Sequence, residues 1–167
     1  MADLKSLLLR APARTLSVAE SLTCGRLQAK IGAISGASGF FAGGITAYTL
    51  DQKVRHLGVD REKAASVNCV SAGIAEQMAR GAVAMFGSDF SAATTGYAEP
   101  APGLGISEAY AFWAVAWTLP GGGCGVRSGR IDCPGAGRLE VQQQVADAAY
   151  AQILLIIAER RSGEPAR

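Results

Sequence analysis

The sequence predicts an α/β fold, a three-layer α/β/α sandwich around a mixed sheet. In the first half of the chain, short apolar strands alternate with helices, which is typical of parallel strands joined by crossover helices. In the second half, two strands flank a glycine-rich turn and a long helix follows, which adds an antiparallel hairpin to the sheet. We expect residues 1–162 to form one domain and residues 163–167 to be a disordered tail.

Apolar periodicity and capping residues predict the elements of the first half. In chain order these are a short helix over residues 4–8 that ends before Pro12, a strand over 15–20, a helix over 22–34, a strand over 44–49 after a glycine-rich loop, and a helix over 51–57 that Asp51 caps and Gly58 closes.

The second half carries the same signals in a different order. The elements predicted there are a helix from Ser71 to Gly87, a strand over residues 89–95, a loop over 96–107, a strand over 109–119, a turn over 120–123, a strand over 124–133 and a helix over 139–160. Apolar residues recur at helical spacing in both long helices, so each helix should bury one face.

Composition excludes several classes of protein. The chain has 167 residues, of which 49% are hydrophobic and 18% charged, and a net charge of +2, which argues against a dedicated nucleic-acid surface. Four cysteines without a CxxC pair and a single histidine, His56, give no metal-ligand spacing. No apolar run is long enough for a membrane span and no signal peptide is visible, so we expect a cytoplasmic protein with reduced thiols.

The segment over residues 18–25 is the most informative part of the chain. It places Ser21 between the end of a predicted strand and the start of a predicted helix. A serine there can be an ordinary helix N-cap. Alternatively, its hydroxyl can be a nucleophile beside unpaired N–H groups of the first helical turn, which would stabilise an oxyanion or an anionic ligand.

A serine nucleophile in this chain needs a base other than histidine. His56 is predicted near the end of a short helix, where contact with the helix dipole suits it better than catalysis. Lysine is the remaining choice if burial lowers its pKa. Tyr48 and Lys53 follow a predicted strand at the sheet edge where α/β folds bind ligands; the alternative is a surface lysine and a half-buried tyrosine.

One further loop could bind an anion. Residues 134–138 (PGAGR) open the last predicted helix, where backbone N–H groups and Arg138 could bind a phosphate monoester. The sequence contains neither GxxxxGK[ST] nor GxGxxG, so it has no nucleoside-triphosphatase or Rossmann fingerprint.

Taken together, these motifs resemble the C-terminal domain of the competence/damage-inducible protein CinA, whose stand-alone family members are nicotinamide mononucleotide deamidases. Residues 19–25 (AESLTCG) resemble the family pattern AESCTGG. Residues 39–48 (GFFAGGITAY) resemble the loop and strand that lead to the family's Tyr-x-x-x-x-Lys, which Lys53 completes, and residues 95–100 (TGYAEP) resemble TGIAGP. The resemblance covers nearly the whole chain.

The resemblance implies an amidohydrolase that converts nicotinamide mononucleotide, or a related pyridine nucleotide amide, to the acid and ammonia. It implies catalytic roles for Ser21, Tyr48 and Lys53, with no metal and no organic cofactor. The implied substrate-binding residues are Thr23 and Gly25 through their N–H groups, Thr95, Gly96, and Arg138 at the 5′-phosphate. It also implies a homo-oligomer that binds a small pyridine nucleotide and binds neither nucleic acid nor membrane.

The sequence departs from the family pattern in its substrate-binding loops. The departures are Leu22 for a cysteine, Cys24 and Glu99 for glycines, residues 106–110 in place of Lys-Pro-Val-Gly-Thr, Gly137 for an aspartate and Gln142 for an arginine. They leave two alternatives open: a catalytically silent module that binds a nucleotide-like ligand or a protein, and an enzyme that uses Cys24 as its nucleophile.

Overall fold

The computed structural model describes residues 3–162 of the chain. The predicted tail over residues 163–167 lies outside the described residues. The helices are α1 (Leu4–Leu9), α2 (Arg26–Gly32), α3 (Leu50–Leu57), α4 (Arg61–Ser66), α5 (Ala72–Phe86) and α6 (Arg138–Ser162), and the strands are β1 (Leu16–Glu20), β2 (Phe41–Thr46), β3 (Phe90–Tyr97), β4 (Ala109–Thr118) and β5 (Cys124–Cys133).

The five strands form one mixed sheet in the order β2-β1-β3-β4-β5. Strand β1 pairs in parallel with both β2 and β3. Strand β4 pairs antiparallel with β3 and with β5, so the second half of the chain supplies the predicted hairpin. The predicted mixed sheet is therefore confirmed.

Helices cover both faces of this sheet and complete the predicted three layers. Alternate residues of β1 point to opposite faces, as the pleat of a strand requires. Leu16 and Val18 pack with α1, α2 and α6 on one face. Ala19 packs with α3, α4 and α5 on the other. The small side chains on this second face let α5 lie close to the sheet.

The strand order places a ligand crevice at the end of β1. The chain leaves β1 through α2 on one face to reach β2, and returns through α3, α4 and α5 on the other face to reach β3. Where neighbouring parallel strands connect in opposite directions, their carboxyl ends leave an open crevice. Ser21 directly follows β1 at that point.

Helix α2 begins later than predicted, at Arg26 rather than at residue 22. Cys24 and Gly25 both have positive φ angles, 51° and 94°, which interrupt any helix through residues 22–25. Gly25, not Ser21, is the N-cap. The interpretation of Ser21 as an N-cap is therefore wrong, and its hydroxyl is free for another partner.

Three smaller predictions also differ from the structure. Strand β2 runs over Phe41–Thr46 and not over residues 44–49. Thr49, rather than Asp51, caps α3 by accepting a hydrogen bond from the Gln52 N–H. Helix α4, which Asp60 caps, was not predicted because its six residues show too little apolar periodicity. No helix within residues 3–162 combines the length and apolar character needed to cross a bilayer.

Candidate active site

The side chains of Ser21 and Lys53 meet at the carboxyl end of the parallel strands. Lys53 Nζ lies 2.9 Å from Ser21 Oγ. The serine follows β1, and the lysine lies in the first turn of α3, which follows β2. Two residues 32 positions apart in the chain therefore form one hydrogen-bonded pair, called here the Ser21–Lys53 pair.

Lys53 is almost completely buried, with 1% of its surface exposed. Its Nζ also donates to the backbone carbonyl oxygens of Ala47 at 2.8 Å and of Tyr48 at 3.0 Å. None of the ion pairs formed within residues 3–162 includes it. Burial lowers the pKa of this amine below its ordinary value, and nearby Cys69 opposes the shift only in part. The surface-lysine alternative is therefore wrong.

The turn that carries Ser21 is fastened by the buried carboxylate of Glu20. This carboxylate accepts hydrogen bonds from the N–H groups of Gly25 at 3.0 Å, Leu27 at 3.1 Å and Gln28 at 2.8 Å. It therefore occupies the start of α2, where the helix dipole favours a negative charge. The expectation that the Gly25 N–H is unpaired and holds an oxyanion is wrong, because Glu20 already uses it.

Strand β3 holds the same turn from the other side. The Ser21 N–H donates to the Thr94 carbonyl at 3.0 Å. The hydroxyl groups of Thr23 and Thr94 lie 2.7 Å apart, and both side chains are fully buried. The Thr23 side chain therefore braces the turn.

The other two residues expected in substrate binding lie at the end of β3. The Thr95 hydroxyl donates to the Cys69 carbonyl at 2.7 Å and so ties β3 to the segment before α5. At Gly96, a Cβ atom would lie 2.5 Å from the Tyr110 carbonyl oxygen on β4. The close approach of the two strands therefore explains this glycine, and both residues line the cleft beside Ser21.

A second polar cluster faces the cleft around Arg138 at the start of α6. The Arg138 guanidinium donates from Nη2 to the Tyr48 hydroxyl at 2.8 Å and from Nη1 to Glu99 Oε1 at 2.5 Å. Tyr48 thus reaches both clusters, since its carbonyl accepts from Lys53 and its hydroxyl accepts from Arg138. The Glu99–Arg138 pair is the name used below for this ion pair.

These groups share one cleft with a volume of about 460 Å³. Its walls are residues 21–22, residues 48–50 with Lys53, residues 68–70, residues 95–101, Leu104 and Arg138. A cleft of this size suits a small organic molecule. Ser21, Tyr48, Lys53, Thr95, Gly96 and Arg138 all line it.

Four candidate residues do not line this cleft: Thr23 and Gly25, which belong to the turn described above, and Cys24 and His56. Cys24 is exposed and precedes the first turn of α2, so the helix position that would activate its thiol is absent. His56 is on the exposed side of α3, where its ring nitrogen contacts Gln52 at 2.9 Å.

Comparison with known proteins assigns the chain to one family. The sequence model described as the CinA C-terminal domain matches residues 1–157. The chain belongs to the CinA C-terminal domain family. A CinA-like protein of Chlorobium limicola is 32% identical over 146 residues, which are 87% of this chain and 34% of that protein. One of Mycolicibacterium gilvum is 44% identical over 90 residues, which are 54% of this chain and 21% of that protein.

The chain thus spans about a fifth to a third of the length of these two curated CinA-like proteins. Solved structures match it over nearly all of its length. The competence damage-inducible protein A of Klebsiella pneumoniae is 26% identical with a TM-score of 0.78, and the match covers 90% of each chain. A CinA superfamily protein of Enterobacter cloacae is 24% identical with a TM-score of 0.78, covering 92% of this chain and 88% of that one, and shows the shared fold.

Sequence reasoning missed two contributors to this candidate site. The sequence motif does not show the role of Glu20, although a buried glutamate at the end of an apolar strand needs hydrogen-bond donors. Cys69 enters the cleft from a segment where both it and Asn68 have positive φ angles. Asparagine adopts positive φ more readily than most residues, but nothing in the sequence marks the same conformation at Cys69.

Proposed function

We propose that this CinA-type domain is a serine amidohydrolase that deamidates nicotinamide mononucleotide or a related pyridine carboxamide. The observation that carries the proposal is the 2.9 Å contact between the buried Lys53 amine and the Ser21 hydroxyl. A nucleophile within hydrogen-bond reach of a base is the arrangement that covalent catalysis requires. The family resemblance supplies the substrate.

The hydrogen bonds of Lys53 suit a neutral amine acting as the base. A neutral amine has two N–H bonds and one lone pair. When protonated, Nζ donates to Ser21 Oγ; in the neutral form proposed here, the carbonyl oxygens of Ala47 and Tyr48 accept its two N–H bonds and its lone pair faces the Ser21 hydroxyl. Burial favours this neutral form. Two backbone carbonyls thus orient the base.

In the proposed reaction, Lys53 takes the hydroxyl proton as Ser21 Oγ attacks the carboxamide carbon. The tetrahedral intermediate then breaks its C–N bond, and a proton from Lys53 or Tyr48 converts the leaving group to ammonia. The Tyr48 hydroxyl accepts its hydrogen bond from Arg138, so its own proton is available to donate. Water hydrolyses the acyl-enzyme to give the carboxylic acid and restore Ser21.

Of the two N–H groups expected to hold the oxyanion, that of Thr23 remains the candidate. The Gly25 N–H is bonded to Glu20, and the Ser21 N–H is bonded to Thr94. The Thr23 N–H lies in the turn two residues after the nucleophile, although Thr23 itself is fully buried and does not line the cleft.

Ammonia release from purified protein tests the proposal. We expect release from nicotinamide mononucleotide that falls at least about a thousandfold in Ser21→Ala, because the nucleophile is lost. Cys24→Ala is the matched control and should keep near wild-type activity, since Cys24 lies outside the cleft. If Cys24→Ala abolished ammonia release and Ser21→Ala kept it, the nucleophile would be Cys24 and not Ser21.

A second candidate function is a binding module without catalysis. The Glu99–Arg138 pair favours it, because the arginine expected to bind substrate phosphate already has a carboxylate partner. Calorimetry with nicotinamide mononucleotide separates the two functions. Binding without ammonia release, unchanged in Ser21→Ala, would establish the binding module.

A further inference from the structure

When Lys53 is neutral, the charged side chains that line the cleft sum to zero net charge. They are Lys53, Glu99 and Arg138. A neutral Lys53, which the proposed reaction needs, leaves one carboxylate and one guanidinium, and these two are bonded to each other. A phosphate dianion entering this cleft therefore meets no cation that lacks a carboxylate partner.

The Glu99–Arg138 pair is close and faces solvent. The side chains of Arg138 and Glu99 are 44% and 58% exposed. Exposed ion pairs contribute little to stability, so the fold does not need this one. Its position on the cleft wall and its link to the pair at the nucleophile through Tyr48 suggest a role toward ligands instead.

We propose that Glu99 determines substrate class in this cleft, by selecting a cationic, unphosphorylated pyridinium carboxamide over its phosphate monoester. For the reaction itself, the inference rests on the proposed function. Among the pyridine carboxamides considered there, it favours the nucleoside over the nucleotide as substrate. The carboxylate attracts the positive charge of a pyridinium ring, whereas a phosphate on Arg138 must displace Glu99 or lie against it. Like-charge contact of that kind is a common source of specificity.

Nicotinamide riboside and nicotinamide mononucleotide are a suitable pair of probes because they differ only in the phosphate. We expect the wild-type protein to bind and turn over the riboside better, and Glu99→Gln to shift the ratio of kcat/KM about tenfold or more toward the mononucleotide. Glu62→Gln, an equal charge change on α4 outside the cleft, should leave the ratio unchanged. An equal shift in Glu62→Gln would overturn the proposal.

The Arg138→Gln variant provides a second, independent test of the role of Glu99. In the presence of Glu99, this substitution should tighten riboside binding, because the Glu99 carboxylate then has no guanidinium partner and faces the cationic ring. In the Glu99→Gln background, Arg138→Gln should weaken mononucleotide binding about tenfold, because there it removes an arginine that is free to bind the phosphate. Equal effects of Arg138→Gln in both backgrounds would contradict the proposal.

Binding of both probes to Ser21→Ala by calorimetry separates this inference from the proposed function. Selective binding without turnover by wild-type protein would refute the enzyme and keep the role of Glu99. Turnover with a preference for the mononucleotide that Glu99→Gln leaves unchanged would keep the enzyme and refute the role of Glu99. Failure of both probes to bind at millimolar concentration would refute both.

Discussion

At the scale of single residues, Lys53 is the side chain on which the proposed chemistry depends. The fold removes its amine from water and gives it two backbone carbonyls and one hydroxyl as partners. An ammonium group is costly in such a place, whereas a neutral amine is a good base. The buried position therefore destabilises the charged form of the Lys53 amine and favours the neutral form, which can act as a base.

We predict that kcat/KM for the amide substrate rises with pH as Lys53 loses its proton, which gives one limb of the pH profile. The base must be neutral, and burial lowers its pKa from the ordinary lysine value of 10.5, so the midpoint of the limb should lie below that value. Lys53→Met should reduce kcat by about 10²- to 10⁴-fold and abolish the limb. A limb that persists in Lys53→Met would assign it to another group.

The sequence identified the residues of this pair but not their environment. Ser21 and Lys53 could be proposed from their places after two predicted strands. Burial of the lysine could not, because it depends on residues that are distant in the chain, such as Ser21 and the segment around Cys69, meeting Lys53 in one cleft. Glu99 was expected near the site, but its partner lies 39 residues away on α6.

At the scale of elements, the start of α2 depends on one buried carboxylate. Glu20 ends β1 and bonds three N–H groups at the start of the next helix, so strand, turn and helix are fixed together. The sequence pattern placed the helix four residues too early. It could not show that a side chain from the preceding strand, rather than Ser21, would satisfy these donors.

We predict that Glu20→Gln destabilises the fold by about 1–3 kcal/mol, because the amide nitrogen cannot accept the hydrogen bonds that a carboxylate oxygen accepts. Activity should fall as well, since the turn that carries Ser21 loses hydrogen bonds that hold it in place. Urea denaturation measures the first effect and ammonia release the second. The same substitution at the exposed Glu62 is the control, and equal stability of both variants would contradict the role assigned to Glu20.

Helix α3, which carries Lys53, is positioned by a close contact with α5. A Cβ at Gly81 of α5 would lie 2.1 Å from the Leu57 carbonyl oxygen at the end of α3. Backbone atoms cannot give way as a flexible side chain can. The glycine therefore sets the distance between the two helices.

We predict that Gly81→Ala lowers the free energy of unfolding by about 1–3 kcal/mol through overpacking, although alanine favours a helix. Gly73→Ala is the matched control in the same helix, where a Cβ would meet only the Ser71 Oγ at 3.9 Å. That variant should be as stable as wild type or slightly more so. Thermal unfolding of both variants tests the contact, and equal melting temperatures would contradict it.

At the scale of the whole molecule, the mixed character of the sheet was predictable because its signals are local. Alternating strands and helices predicted the parallel part, and the turn over residues 120–123 predicted the hairpin. The order β2-β1-β3 decides where the cleft opens. It follows from which face each helix covers, and that becomes visible only when the apolar clusters are assembled.

We predict that buried Lys53 gives the whole protein a pH-dependent stability. Its pKa is lower in the folded state than in the unfolded chain, so between the two pKa values the unfolded chain binds more protons. The free energy of unfolding therefore rises with pH through that window, up to about the ordinary value of 10.5. Lys53→Met should gain most over wild type at low pH and lose that advantage as pH rises. Denaturation across a pH series measures this, and a constant difference would contradict it.

The turn between β4 and β5 lies at the far end of the sheet from the cleft, because β4 runs antiparallel to β3. Its residues, 119–123, are exposed. Loop tips of this kind tolerate inserted sequence. A tether placed there would anchor the protein to a chip or bead with its cleft facing outward, so that substrates could be screened on immobilised protein without blocking the entrance.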